Sequence, residues 1–236
     1  NPTFLETWGL GKFLTYESHL FKNLLDGVII ISEHETSINA WLGAQNIQLL
    51  PRFLSSTKIE WQPQGHTIGF VGTLDHLPNY KGIELLAQAL AAQNFSGILK
   101  LVGGSEETGK KFESEFTFVQ YAGKLSEREL VDEVKTWSIF LNPVFWYSRG
   151  SSTKLAQGLA WGIPVLTTPA GRRGYILSDD QIQTETHSPA EFAERIIKLI
   201  SDDALLEVHR QASLNIVSQF QASAYIQSLK QFLEKI

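Results

Sequence analysis

The chain contains no cysteine. Disulfides and thiolate metal sites are therefore excluded, and a reducing interior fits the composition. It contains no methionine either, and its first residue is Asn1. A native chain of 236 residues ordinarily begins with methionine and holds several more, so an N-terminal part preceding Asn1 is expected. No apolar run reaches the length of a membrane span; the longest, around Val28–Ile31, is strand-sized. No signal peptide is visible. Positive charge is not in excess, with 20 Lys and Arg against 25 Asp and Glu, a net charge of −5 and a pI of about 5.7. A general nucleic-acid binder would carry a basic face, so any anion site here must be local, built from a few cations and backbone amides. The histidines (His19, His34, His66, His76, His187, His209) are scattered without metal-ligand spacing, and no structural metal is expected. No G-x-S-x-G motif, Walker A loop or G-x-G-x-x-G motif occurs, which weakens hydrolase, P-loop NTPase and dehydrogenase readings.

What is present is a regular alternation. The chain is long enough for one large or two small domains, and 43% hydrophobic with 19% charged residues is ordinary for a globular protein. Apolar residues on one face predict a helix over 16–25, stopped by Asp26–Gly27. The uniformly apolar Val28–Ile31 reads as a buried parallel strand. A helix over 34–43 and a short strand over Ile47–Leu50 follow, and the polar stretch Ser55–His66 reads as a linker. A second series then runs as strand Thr67–Val71, helix Tyr80–Gln93, strand Ile98–Val102, charged helix 105–115, strand Phe116–Tyr121, helix Ser126–Lys135 and strand Ser138–Leu141. Ser126 with Glu129 forms a capping box for the last of those helices. A Gly/Ser-rich loop over Ser148–Ser152, a small-residue helix over Lys154–Trp161 and a strand over Val165–Thr167 complete the series. Three helices over 189–201, 202–219 and 222–235 end the chain. Strands and helices joined by short links predict an α/β fold, a doubly wound parallel sheet with right-handed crossovers. Ligands of such sheets sit beyond the carboxyl ends of the strands, where Gly72, Gly103, Gly123 and the loop 143–153 should gather.

One main stretch, Val144–Gly174, and three smaller constellations fall at that edge. The main stretch has a loop of small residues that feeds a helix N-terminus, which aims unpaired backbone N–H groups at one point suited to a phosphate. Arg149 and Lys154 would add charge, and Ser151, Ser152 and Thr153 would add hydroxyl donors. The competing reading is that these hydroxyls only cap the helix. Arg172–Arg173, between Gly171 and Gly174, forms a mobile basic loop that would clamp a phosphate, or is a pair of surface arginines. Gly72–Thr73–Leu74 with Asn79–Gly82 places Lys81 at a helix start, facing a diphosphate or simply solvent. Gly123–Lys124–Leu125 offers backbone groups to a nucleobase, or is an ordinary turn.

Taken together, FVGTLDHLPNYKGIELLAQAL, LKLVGG, YAGKLSERELVDEV, IFLNP and RGSSTKLAQGLAWGIPVLTT resemble the donor-binding half of the group 1 (family 4) glycosyltransferases, which have two facing Rossmann-like domains in the B-type architecture. The resemblance covers about residues 15–236. It implies four parts: residues 1–54 as the end of the N-terminal, acceptor-side domain, 55–66 as linker, 67–220 as the donor-binding domain, and 221–236 as a helix crossing back. It further implies a nucleotide-sugar donor, no cofactor or metal, a glycan or lipid-linked glycan acceptor, and no nucleic-acid partner. A cytoplasmic place in polysaccharide assembly follows, with a peripheral position at the membrane as an option.

Residue by residue, Lys81 matches the family's lysine on the donor diphosphate, behind Gly72. Gly150, Ser151, Ser152, Thr153 and Lys154 match the loop and helix start cradling the distal phosphate. Gly123, Lys124 and Leu125 match the backbone contacts to the base. The chain departs from the pattern three times. Thr73 stands where an arginine commonly assists the lysine, and Arg149 and Gln157 stand where two glutamates are usual, near the sugar and on the ribose. A charged hydrogen bond is worth roughly 1.5–3 kcal/mol and a neutral one roughly 0.5–1.5, so Gln157 weakens the ribose contact by about 1 kcal/mol, somewhat under tenfold. Retaining sugar transfer from a nucleoside diphosphate sugar is the leading expectation. The alternatives are a non-catalytic nucleotide-sugar or glycan-binding pseudo-glycosyltransferase and a related sugar-nucleotide epimerase.

Overall fold

A computed structural model of the chain describes residues 2–147, 149–175 and 182–236. The first elements are α1 (Phe4–Asn23), β1 (Val28–Ile30), α2 (Glu35–Leu42) and β2 (Ile47–Leu49), with β1 and β2 paired in parallel as a two-stranded sheet. The second series is β3 (Thr67–Val71), α3 (Leu77–Ala92), β4 (Ile98–Val102), α4 (Glu106–Glu115), β5 (Val119–Gly123), α5 (Glu127–Val134), β6 (Ile139–Asn142), α6 (Thr153–Trp161) and β7 (Val165–Thr167). Its strands form a parallel five-stranded sheet in the order β5-β4-β3-β6-β7. The tail carries α7 (Pro189–Ile200), α8 (Asp203–Gln219), a 3₁₀ turn at Ala222–Ala224 and α9 (Ile226–Leu233). The expected doubly wound, Rossmann-like α/β sheet is thus the fold observed.

The two faces of the sheet follow from the period of two along each strand. Ile68, Phe70, Leu99, Leu101, Ile139 and Leu141 face one core with α3, Phe112 of α4 and Phe192 of α7. Phe140 and Val165 face the other, with Trp137, Leu155, Leu159 and Ile216. Two glycines permit close layers on this second side. A Cβ at Gly69 would lie 2.2 Å from the Trp137 ring, and one at Gly158 would lie 2.8 Å from the Phe140 ring. The N-caps are side chains of the expected kind: Ser105, Ser126 in its capping box, Ser152, Ser188 and Asp202 each accept from a first-turn amide.

Several boundaries move, for local reasons. α1 begins at Phe4, far upstream of residue 16, because Thr3 and Glu6 form a capping box. α3 begins at Leu77 because Pro78 is pre-organised for a first turn, so Lys81 stands in the second turn and not at the helix start. β5 begins at Val119, while Phe116 and Phe118 pack against each other and Phe95 in the turn before it. The Val28–Ile31 run is not uniformly buried: Ile29 is 44% and Ile31 39% exposed. The last helix is broken at Tyr225 into the 3₁₀ turn and α9.

Residues 55–66 hold no helix or strand, yet they are laid along the molecule. Thr57 and Ile59 donate to the carbonyls of Ala160 and Trp161, and Gln62 and Gln64 to those of Lys135 and Thr136. α9 returns to the small sheet, where the Phe232 ring lies 2.6 Å from the position of a Cβ on Gly27 and Gln48 donates to Ser228 (3.0 Å). No helix among the described residues is long and apolar enough to cross a membrane.

Candidate donor site

The carboxyl ends of β3, β4, β5 and β6 open onto one edge. After β3, the Gly72 amide donates to Val102 (2.9 Å), Thr73 follows, and Asp75 ties this loop to the start of α4. Its carboxylate accepts from the Ser105 amide (2.6 Å), the Ser105 hydroxyl (2.5 Å) and the Thr108 hydroxyl (2.6 Å). Those donors, Ser105 first, hold the Asp75 carboxyl at about 2. After β4 and β5, Gly103, Gly104 and Gly123 all have positive φ, which L side chains rarely adopt. Beside them lies a cavity of about 450 Å³ lined by Gly104, Ser105, Lys110, Tyr121, Gly123 and Lys124. Leu125, next in sequence, packs against the second core and not into this cavity's lining.

α3 reaches the same edge. A Cβ at Gly82 would stand 2.3 Å from the Pro143 carbonyl, so the helix rests against the beginning of the β6–α6 loop. Lys81 is half-exposed and its Nζ bonds Glu84 (2.6 Å). Of the Gly/Ser loop, Ser148 lies outside the described residues. Arg149 turns towards the N-terminal segment, bonding both carboxylate oxygens of Glu17 (3.0 and 3.2 Å) and approaching Glu35 (3.5 Å). Gly150 has φ +80, and Ser151 and Ser152 are buried. The Ser152 hydroxyl caps α6 through Leu155 (3.3 Å). Thr153 and Gln157 are exposed on the helix. The amides of Thr153 and Lys154, in the first turn, have no acceptor within the helix.

Asn142, the last residue of β6, gathers the surrounding pieces. Its Nδ2 faces the Ser152 hydroxyl (3.2 Å), the Thr167 hydroxyl (3.0 Å) and the Gly171 carbonyl (2.9 Å). Nothing in its sequence position marked it beyond closing a strand. The turn after β7 is pressed onto α6: the Ser152 amide donates to the Arg173 carbonyl (3.1 Å), and Gly174, at φ +85, would place a Cβ 2.5 Å from Ser151. Gly174 also donates to Glu33 (3.1 Å). Arg173 is therefore a half-buried residue of a packed turn and not a surface arginine on a mobile loop. Burial pushes its guanidinium down, and burial followed by the charge of Arg173 pushes the Lys154 ammonium down. Lys154 lies over the Phe70 ring, 5.7 Å from its centroid, near the end of β3.

A parallel sheet with glycine turns, a cavity and a helix N-terminus gathered at its carboxyl edge defines a Rossmann-like domain with a prepared ligand edge. Residues 65–202 match the family of group 1 glycosyl transferases, and the chain belongs to that family. Among solved structures, TarM superposes with a TM-score of 0.75 at 16% identity, over 94% of this chain and 46% of TarM. HepE of Anabaena, crystallised with UDP and glucose, superposes at 0.74 with 16% identity, over 95% of this chain and 67% of its own. The C-terminal domain of LpcC, a group 1 family protein from Francisella tularensis, gives 0.55 at 17% identity, over 72% of this chain and 96% of that domain. The chain thus spans about half the length of TarM. Comparison with curated proteins finds no match.

Proposed function

We propose that this chain is the donor-binding half of a metal-independent glycosyltransferase. Its donor is a nucleoside diphosphate sugar, and the sugar passes with retention to a glycan or lipid-linked glycan. The observation that carries the reading is the neighbourhood of two unlike sites on one sheet edge. The cavity at the ends of β4 and β5, about 450 Å³ and lined by Gly104, Tyr121 and Gly123 among others, has room for a base, and the N-terminus of α6 suits a phosphate. The backbone of Gly123 and Lys124 then meets the base, Gln157 the ribose, and Gly72, Thr73, Lys81 and Gly150–Lys154 the diphosphate. When the sugar leaves, negative charge grows on the diphosphate oxygens. The α6 amides and nearby cations stabilise that charge in place, without reorganising solvent. In this role Lys81 leaves Glu84 for the diphosphate.

The test is calorimetric titration of the chain with uridine, adenosine and guanosine diphosphates. Micromolar binding of at least one, weakened in Lys81→Ala, is expected. Failure of all three to bind at millimolar concentration overturns the reading. A non-catalytic binding module is the second reading. It is favoured by Arg149, which supplies no carboxylate and is engaged by Glu17 and Glu35. Incubating the longer protein with a donor that binds, and following sugar release by mass spectrometry, separates the two: tight binding without any release or transfer selects the binding module.

A further inference from the structure

Two cations, Lys154 and Arg173, come to the start of α6, and among the described residues neither has an ion-pair partner. Lys154 is the second residue of the helix, and among the described residues its Nζ has no hydrogen-bond or ion-pair partner, only the Phe70 ring. Arg173 comes from the turn after β7, held there by its own carbonyl accepting the Ser152 amide. Its Nε and Nη1 are buried and unpartnered. Ser151, 9% exposed, adds a buried hydroxyl. That hydroxyl neighbours the Tyr175 hydroxyl closely enough to offset part of the rise that burial gives the tyrosine, yet neither oxygen completes a hydrogen bond of ordinary geometry. A buried cation without a partner is costly, and a second cation close enough to repel it makes the cost larger. Several other lysines do have such partners. Lys81, Lys110 and Lys135 each bond a carboxylate, and Lys111 bonds the Tyr80 hydroxyl and approaches Glu115. Position 73 is a threonine and brings no charge to the edge.

We propose that Arg173, Lys154 and the Ser151 hydroxyl form an oxyanion cradle at the N-terminus of α6, with Arg173 as its principal charge. The inference rests on the donor-site reading for where a nucleotide lies, and it moves the main electrostatic contact from Lys81 to Arg173. A guanidinium presents several N–H donors in one plane, and two of its nitrogens here, Nε and Nη1, are buried without an acceptor that an oxyanion would supply. Two sources on a donor carry that chemistry: the distal phosphate, or the carboxylate of an acidic sugar attached to it.

The test compares the wild-type chain with Arg173→Gln and Lys154→Gln, each checked by circular dichroism. The probes are a nucleoside diphosphate that binds, its monophosphate, its glucose and glucuronate esters, and inorganic pyrophosphate. Both substitutions relieve repulsion between buried charges, so the melting temperature without ligand should hold or rise; a purely structural arginine would lower it. If the distal phosphate occupies the cradle, diphosphate affinity falls at least tenfold in Arg173→Gln while monophosphate affinity is unchanged. If the carboxylate does, wild type prefers the glucuronate ester and both variants lose that preference. Equal binding of every probe by wild type and both variants overturns the cradle and leaves the donor site standing. Should no nucleotide bind, yet pyrophosphate raise the melting temperature of wild type and not of Arg173→Gln, the donor reading falls and the cradle survives. A wild type indifferent to pyrophosphate and to every nucleotide ends both. One variant failing to fold leaves the other to decide.

Discussion

The two halves of the ligand edge are built differently. On the β3–β4–β5 side the polar groups are answered from within. Asp75 is held by Ser105 and Thr108, the Tyr121 amide by Glu113, and Lys81 by Glu84. On the β6–β7 side several are not: among the described residues Asn142 Oδ1, Ser151 Oγ and two nitrogens of Arg173 are buried without partners. Buried polar groups in folded proteins are nearly always satisfied, so the contrast separates scaffold from ligand surface. The satisfied half fixes positions, and the other half leaves two Arg173 nitrogens without an acceptor and Asn142 Oδ1 without a donor.

The contrast is broken most severely at Gly174. Its φ of +85 and the 2.5 Å approach to Ser151 exclude a side chain. Gly174→Val should cost about 3 kcal/mol from strain and overpacking, lowering the melting temperature by roughly 6–12 °C. It should also lower nucleotide affinity, because it displaces the Arg173 turn. An unchanged melting temperature in a calorimetric scan would mean that the turn is not packed on α6 as described.

Asn142→Ala comes next. It removes an amide facing Ser152, Thr167 and Gly171, of which two hydrogens serve at most two acceptors at once. A loss of about 2 kcal/mol in urea unfolding is expected. The satisfied half has a smaller counterpart in Lys81→Ala. A half-exposed lysine already paired with Glu84 should contribute about 1 kcal/mol to diphosphate binding, a several-fold change and less than that of Arg173→Gln. The reverse order in calorimetry would return the main contact to α3.

Asp75 gives the pH prediction. Its carboxyl is held down from 3.8 to about 2 in the folded chain. A lowered carboxylate contributes stability that is complete above its unfolded value and is lost as pH falls through the folded one. Melting temperatures of wild type and Asp75→Asn should therefore keep a constant gap above pH 4 and converge between pH 4 and about 2. A gap that persists below pH 2 would remove the Ser105–Thr108 tether as its cause.

The sheet and its edge were legible because hydrophobic period and glycine turns are local signals. Ile68–Phe70 and Leu99–Leu101 place apolar residues at every second position, Ile139–Leu141 is apolar throughout, and Gly72, Gly103 and Gly123 mark the strand ends. Strand limits were less legible where an apolar run serves a turn, since Phe116 and Phe118 look like strand residues but pack among aromatics. The first half of α1 escaped notice because Gly9 and Gly11 interrupt its pattern while the Thr3–Glu6 box starts it. Arg173 was the hardest to place. Two adjacent arginines between glycines read as surface charge, and the burial of one depends on how closely Gly174 seats against Ser151, a contact between segments that no local pattern encodes. Lys154 was readable as a helix-start cation, but its lack of a partner was not.

Arg149 is expected to give the smallest effect and the sharpest reading of the two halves. It sits on the unsatisfied side, yet its charge is answered by Glu17 on α1 and Glu35 on α2. It therefore behaves as scaffold on the wrong side of the division, joining the loop of α6 to the N-terminal segment. Arg149 is about half-exposed, so Arg149→Ala should cost under about 1 kcal/mol and the loss should shrink in salt. Nucleotide affinity should hold within about twofold, since no donor oxygen is needed to balance this arginine. A tenfold loss of diphosphate affinity in Arg149→Ala would show that the arginine abandons its carboxylates for the ligand, and would extend the cradle across the whole β6–α6 loop.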